Sequence, residues 1–220
     1  MLVIGHRGCA EQYPENTVTA VEASAQHVDL VEVDVVQSGS GELVAFHDET
    51  LDRLTAASGR VDETPVETLT DLHVDGSEAT IPRFDTVVDA WPAGVGMNLD
   101  VHDPTIVDRA LDTLDGLDGQ VLLSSTDTQT IQAARTHPRA VTIGYSFDAE
   151  PEAELPRARE LGATFVHVDY RLCLESSVIE RAHRQGIQVD AWTLASPGPV
   201  EKLRSRGVDA VTVDRWDIVG

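Results

Sequence analysis

The sequence predicts an α/β chain, a (β/α)8 TIM barrel with a short insertion after its second strand. Three observations carry this. Eight short β-rich runs alternate with helical patterns along 220 residues, and strand–helix alternation builds a parallel sheet. No linker, low-complexity stretch or internal repeat divides the chain, so residues 1–220 read as one domain, close to the minimum size of such a barrel. Glycines 162, 186 and 207 each close a helical pattern just ahead of a β-rich run, where a helix C′ glycine belongs.

Strands are expected at 2–6, 30–36, 95–101, 121–125, 140–145, 164–169, 188–193 and 209–214. Helices are expected at 16–27, 105–115, 128–137, 152–161, 175–185 and 198–206. One segment breaks the rhythm. Leu43-Val-Ala-Phe-His47 is a further β run after the turn Ser38-Gly39-Ser40-Gly41, and residues 48–83 then lack a strong period. They read as an insertion lying over the C-terminal face of the barrel, where this fold keeps its active site, and so as a lid or substrate wall.

Composition narrows the function. A chain that is 41% hydrophobic and 25% charged is neither disordered nor collagenous. Its 16 basic and 38 acidic residues leave a formal net charge of −22, which repels nucleic acid and anionic membrane surfaces. No apolar run approaches the roughly 20 residues of a membrane span, and the N-terminus lacks the pattern of a signal peptide. Cys9 and Cys173 fit no zinc spacing and no disulfide framework. A cytoplasmic protein, monomeric or homodimeric, is expected. Lys202 is the single lysine, and the other 15 basic residues are arginine. Acid excess spread along the chain with lysine nearly absent resembles proteins of halophilic archaea, in which molar salt screens the self-repulsion.

The run Leu30-Val-Glu-Val-Asp-Val-Val36 is the most informative element. Side chains alternate faces along a strand. Val31, Val33 and Val35 therefore face the helices, while Glu32 and Asp34 point together into the barrel. Two inward carboxylates need compensation from a divalent cation, an arginine or water. Asn98, Asp100 and His102 share one face of the next barrel strand, so Asp100 can complete a three-carboxylate set, hard enough to favour Mg²⁺ or Ca²⁺ over zinc. His6 and His47 both end β runs on the same rim, a pair suited to general acid–base work. Arg7 offers a planar fork for phosphate. His27, His73, His137 and His183 lie in helical or loop contexts and read as structural or surface residues. Trp192, inward with Asp190, is either barrel core or a wall against the substrate. His167 and Asp169 are a structural pair or rim contacts. Phe46 and Leu54 read as packing.

Together these motifs resemble the glycerophosphodiester phosphodiesterases. The order His6-Arg7-Gly8, Pro14-Glu15-Asn16-Thr17, Glu32-x-Asp34-Val35, His47-Asp48, Leu51-Asp52-Arg53, Thr55, Gly59, Trp192-Thr193 and Asp214-Arg215 follows the family pattern over essentially the whole chain. The resemblance implies a metal-dependent phosphodiesterase on a (β/α)8 barrel. Glu32, Asp34 and Asp100 would hold the metal, and His6 and His47 would act as base and acid. Arg7, with His102 and Trp192, would contact a small-molecule phosphodiester. The neighbouring glycerol hydroxyl would attack, giving a cyclic phosphate that water opens to glycerol phosphate. The family usually carries Glu at the position of Asp100, Lys at that of His102 and Asn at that of Ala195. Two other readings remain open: a related phosphodiesterase acting on lysophospholipids, which a wide apolar rim would favour, and a barrel that binds a phosphodiester or cation without turnover.

Overall fold

A computed structural model describes residues 1–220. Nine strands form, in chain order, β1 (Leu2–Gly5), β2 (Leu30–Gln37), β3 (Leu43–Ala45), β4 (Gly96–Asp100), β5 (Val121–Ser125), β6 (Thr142–Phe147), β7 (Phe165–Asp169), β8 (Gln188–Leu194) and β9 (Ala210–Val213). β1 pairs in parallel with both β2 and β9, so the sheet closes on itself in the order β1-β9-β8-β7-β6-β5-β4-β2. Eight parallel strands make the barrel expected from the sequence. The extra run expected near 43–47 is β3, which lies antiparallel on β2 with Val36 opposite Val44.

Alternation does the sorting that the valines of β2 imply. Outward side chains of every barrel strand join the helices in one annular core of 44 buried residues, Val31, Val33 and Val35 among them. Inward side chains at the barrel bottom, Ile4, Leu30, Leu122, Phe165 and Ala210, form a separate apolar plug. Above that plug the interior turns polar. Glu32, Asn98, Ser124, His167, Asp190 and Thr212 are all buried there, so the hydrophobic effect closes one end of the barrel and leaves the other for chemistry.

The helices are α1 (Val18–Ser24), α2 (Val66–Leu69), α3 (Phe84–Asp89), α4 (Val107–Thr113), α5 (Thr128–Thr136), α6 (Pro151–Glu160), α7 (Tyr170–Glu175), α8 (Val178–His183) and α9 (Pro197–Ser205). Thr17 caps α1 by accepting from Ala20 N at 3.2 Å, and Asp127 caps α5 by accepting from Thr130 N at 2.8 Å. Gly162, Gly186 and Gly207 take left-handed φ after α6, α8 and α9, as the sequence implies. The helix expected at 175–185 is α8, which starts only at Val178 because Ser176 is extended (φ −127°, ψ −178°); ahead of that break lies a further, unexpected helix, α7, which Asp169 caps by accepting from Arg171 N. Helix α3 was not expected; its six residues are too few to show a period.

Residues 46–81 enclose a second small core of Phe46, Leu51, Leu54, Val61, Val66, Leu69, Val74 and Ile81, joined by Val44 of β3. Phe46 and Leu54 are thus packing residues, as read from the sequence. No helix is long and apolar enough to cross a membrane.

Candidate active site

The C-terminal ends of the barrel strands bring the sequence-predicted residues to one mouth. His6, Arg7, Glu32, Asp34, His47, Asp100, His102 and Trp192 line a cavity of about 230 Å³, together with Ser124, Thr126, Ser146, His167, Thr193 and Thr212. It opens into a wider groove of about 670 Å³ that shares Asp34, His47, Asp100 and His102.

β1 ends in a 3₁₀ turn, His6–Gly8, that carries His6 and Arg7. Arg7 sits in the left-handed region (φ 50°, ψ 32°), a conformation that costs a non-glycine residue about 1–2 kcal/mol. Gly8 follows at φ +78° and packs so tightly on α1 that a Cβ there would lie 2.7 Å from Ala20 Cβ. The strained turn aims two functional side chains at the pocket. His6 Nδ1 lies 2.6 Å from Asp214 Oδ1, just past the end of β9. With Nδ1–H donated to that carboxylate, Nε2 faces the pocket, 3.6 Å from Glu32 Oε1. Burial lowers the His6 pKa, but Glu32 and Asp214 outweigh it, so the net shift is upward.

The carboxylates are individually braced. Asn16 donates Nδ2–H to Asp34 Oδ2 at 2.7 Å and accepts from Asp34 N at 3.1 Å. Asn98 donates to Glu32 Oε2 at 3.0 Å. Ser124 donates to Asp100 Oδ1 at 2.7 Å, and His102 Nε2 lies 2.8 Å from Asp100 Oδ2. Burial pushes the Glu32 carboxyl up to about 7, with Asp34 and Asp100 acting the same way against His6 and Arg7. Burial acts to raise Asp100, yet the hydrogen bond and charge of His102, with the Ser124 hydroxyl and His167, outweigh it and hold the carboxyl below its ordinary value. That bond is in turn the main reason the His102 pKa is raised.

Three acids, one of them a buried carboxyl that resists ionisation, have the donor chemistry of a hard dication site. In this arrangement no three acidic, histidine or cysteine groups converge as a ready-made metal cluster. Asp100 is turned onto Ser124 and His102 with one bond to each oxygen, which leaves a further lone pair on each for a cation.

The second histidine is held from the other side. The backbone bond from Phe46 N to Asp34 O, 3.1 Å, docks the segment after β3 on β2. His47 Nδ1 then lies 2.7 Å from Asp48 Oδ1. Arg53 donates Nε–H to Asp48 Oδ2 at 2.6 Å and Nη2–H to Asp48 Oδ1 at 2.8 Å. Its Nη1 and Nη2 also donate to Glu15 Oε2 and Oε1 at 2.9 and 2.8 Å. Glu15 Oε1 in turn accepts from Arg7 Nη1 at 2.9 Å. The Arg53 hydrogen bonds hold the Asp48 carboxyl down at about 2. For Glu15, burial acts upward but Arg53 and Arg7 prevail, so its net shift is down. Arg7 Nε lies 3.3 Å from Asp34 Oδ2, an ion-pair distance, but the N–H is misaligned and has no hydrogen-bond partner.

One of the two readings of His167 and Asp169, a structural pair, does not hold. His167 does not pair with Asp169; its Nδ1 lies 3.0 Å from the buried Asp190 Oδ2, which also accepts from Thr212 at 2.8 Å. Asp169 instead caps α7. His167 leans across β6, where Gly144 leaves room for the ring. The roles of Asp214, Asn98, Ser124 and Asp190 were missed. Asp214 had a sequence signal, the Asp-Arg pair ending the last strand, whereas its contact with His6 spans 208 positions. Of the remaining histidines, His27 stacks on Trp216 with centroids 3.8 Å apart. His137 and His183 pair with Asp112 and Asp209.

Residues 6–218 match the Glycerophosphoryl diester phosphodiesterase family. The glycerophosphodiester phosphodiesterase of Caldanaerobacter subterraneus subsp. tengcongensis is 24% identical over 229 residues, covering 97% of this chain and 93% of that protein. Among solved structures, a phosphodiesterase of Oleispira antarctica in complex with the product sn-glycerol-3-phosphate is similar at a TM-score of 0.89. It is 26% identical, with 100% of this chain and 95% of that chain covered. The glycerophosphodiester phosphodiesterase of Thermotoga maritima is similar at a TM-score of 0.85 and 25% identity, covering 99% and 96% of the two chains.

Proposed function

Because the chain belongs to the glycerophosphoryl diester phosphodiesterase family, we propose that it hydrolyses glycerophosphodiesters to a glycerol phosphate and an alcohol, using His6 and His47 as general base and acid in a metal-dependent reaction. One observation carries the reading. Two histidines, each with Nδ1 against its own carboxylate (His6 on Asp214 at 2.6 Å, His47 on Asp48 at 2.7 Å), line the same cavity as Arg7 and three acids.

The chemistry follows from those contacts. His6 Nε2 takes the proton of the glycerol hydroxyl next to the phosphate as that oxygen attacks phosphorus. His47 donates a proton to the departing alcohol oxygen, and the two exchange roles when water opens the cyclic phosphate. Arg7 lines the cavity and is braced through Nη1 by Glu15, while its Nη2 makes no hydrogen bond within the protein and would donate to a non-bridging oxygen. Glu32 and Asp34, with Asp100, would hold a Mg²⁺ or Ca²⁺ ion, which when bound supplies positive charge for the phosphate oxygens. His102 and Trp192 line the same cavity and would contact the substrate there.

Pocket shape supports a small polar substrate. Trp192 is the sole hydrophobic side chain lining the inner cavity. The outer groove has only Val35, Val36 and Val61, too little apolar surface for the acyl chain of a lysophospholipid. The product bound to the Oleispira relative supports turnover over binding alone.

The test is glycerol phosphate release from diesters carrying choline, ethanolamine, glycerol or inositol, in molar KCl, with Mg²⁺, Ca²⁺ or chelator. Release with a divalent ion and none with chelator is expected, and lysophospholipids should not react. Folded protein that cleaves no diester under any of these conditions would reject the proposal.

A further inference from the structure

We propose that Arg53 is a positioning residue for this reaction: its one guanidinium ties the segment bearing His47 to the turn bearing Arg7. The proposal rests on the reading above that those two residues serve a single reaction. Arg53 itself lines neither the inner cavity nor the outer groove.

The geometry is a continuous chain of charge-assisted hydrogen bonds from one histidine to the phosphate-binding arginine. His47 is locked by Asp48 at 2.7 Å. Asp48 is gripped through both oxygens by Arg53, at 2.6 and 2.8 Å. The other edge of the same guanidinium grips both oxygens of Glu15, at 2.9 and 2.8 Å. Glu15 then holds Arg7 at 2.9 Å. Asp48 follows β3 and Glu15 precedes α1; both segments are anchored on β2, through Phe46 N on Asp34 O and through Asn16 on Asp34, and beyond those anchors Arg53 links the side chains of Asp48 and Glu15 directly. A planar fork with five donors can make two bonds to each of two carboxylates at once, as Arg53 does; a lysine ammonium has three donors on a flexible stem and cannot make all four.

Stability alone does not account for the arrangement. The Arg53 side chain is 47% exposed, which limits what its pairs add to folding, and the buried Glu15 carboxylate keeps Arg7 as a partner without it. What the pair of forks can add is orientation. With Arg53 removed, Asp48 loses two donors and the His47 ring loses a stiff partner, whereas Arg7 keeps Glu15 and its proximity to Asp34. The loss should therefore fall on the chemical step more than on binding.

The experiment compares Arg53→Ala and Arg53→Lys with the wild type, and uses Arg204→Ala, which breaks an exposed pair with Glu201 on α9, as a control. Both Arg53 variants should lose about tenfold or more in kcat, as expected for small misplacements near reacting groups, with KM changed far less. Guanidinium at sub-denaturing concentration should restore activity to Arg53→Ala, and ammonium at equal ionic strength should not. Nitrogen-15 spectra of the His47 ring should show a tautomer locked on Asp48 in the wild type and a mixture in Arg53→Ala. Wild-type kcat together with an unchanged His47 spectrum in both variants would overturn the proposal. So would lost activity that tracks a lowered melting temperature and resists guanidinium. A wild type that cleaves no diester would sink the functional reading instead, and the ring spectra would still decide the role of Arg53.

Discussion

A neutral imidazole acts as a base at one nitrogen only when the other carries the proton, so the partner of Nδ1 matters as much as the histidine. Asp214 is that partner for His6, at 2.6 Å. An Asp214→Asn variant keeps the shape of the side chain but removes the charge that favours the Nδ1–H tautomer. It should lower kcat by about 100-fold, the usual scale of a lost acid–base contribution, with little change in KM, as steady-state kinetics would show. His6, His47, Glu32, Asp34 and Asp100 were legible from the sequence because period-two alternation and strand ends place them on one rim. Asp214, Asn98 and Asp190 were not. Each acts on a residue from another strand, and a contact such as Asp214 with His6, 208 positions apart, has no local pattern.

At the scale of elements, the barrel interior is divided by height: Ile4, Leu122 and Phe165 fill the bottom, and His167, Asp190 and Thr212 form a hydrogen-bonded layer above it. Gly144 on β6 makes that layer possible. A Cβ at this position would stand within van der Waals overlap of the His167 ring and 3.4 Å from Leu122 Cδ1. Gly144→Ala should therefore destabilise by about 1–3 kcal/mol, the cost of overpacking a filled interior. Urea unfolding would measure it, and an unchanged midpoint would show that the ring moves aside freely. Strands and their order were readable from the sequence, since each barrel strand is a β-rich run with an outward apolar face. Short helices were less so. Phe84–Asp89 is too short for a period, and the break at Ser176 between α7 and α8 depends on backbone conformation rather than on apolar spacing.

For the whole molecule, the net charge of −22 dominates. At about 0.1 M salt the screening length is ~10 Å, long enough for neighbouring surface acids to repel; at about 1 M it is ~3 Å. The melting temperature should therefore rise as KCl is raised into the molar range, and KM for an anionic diester should fall. A melting temperature that drops with KCl would remove the basis for a salt-adapted surface. The central claim concerns the mouth of the barrel, where two carboxylate-braced histidines meet Arg7 and three acids. Its most direct test is phosphorus-31 NMR of a glycerophosphodiester incubated in molar KCl and divalent ion with wild type, His6→Ala or His47→Ala. The account predicts conversion of the diester signal to a glycerol phosphate monoester by the wild type and none, on the same timescale, by either variant. A histidine variant that converts the diester at the wild-type rate would contradict it.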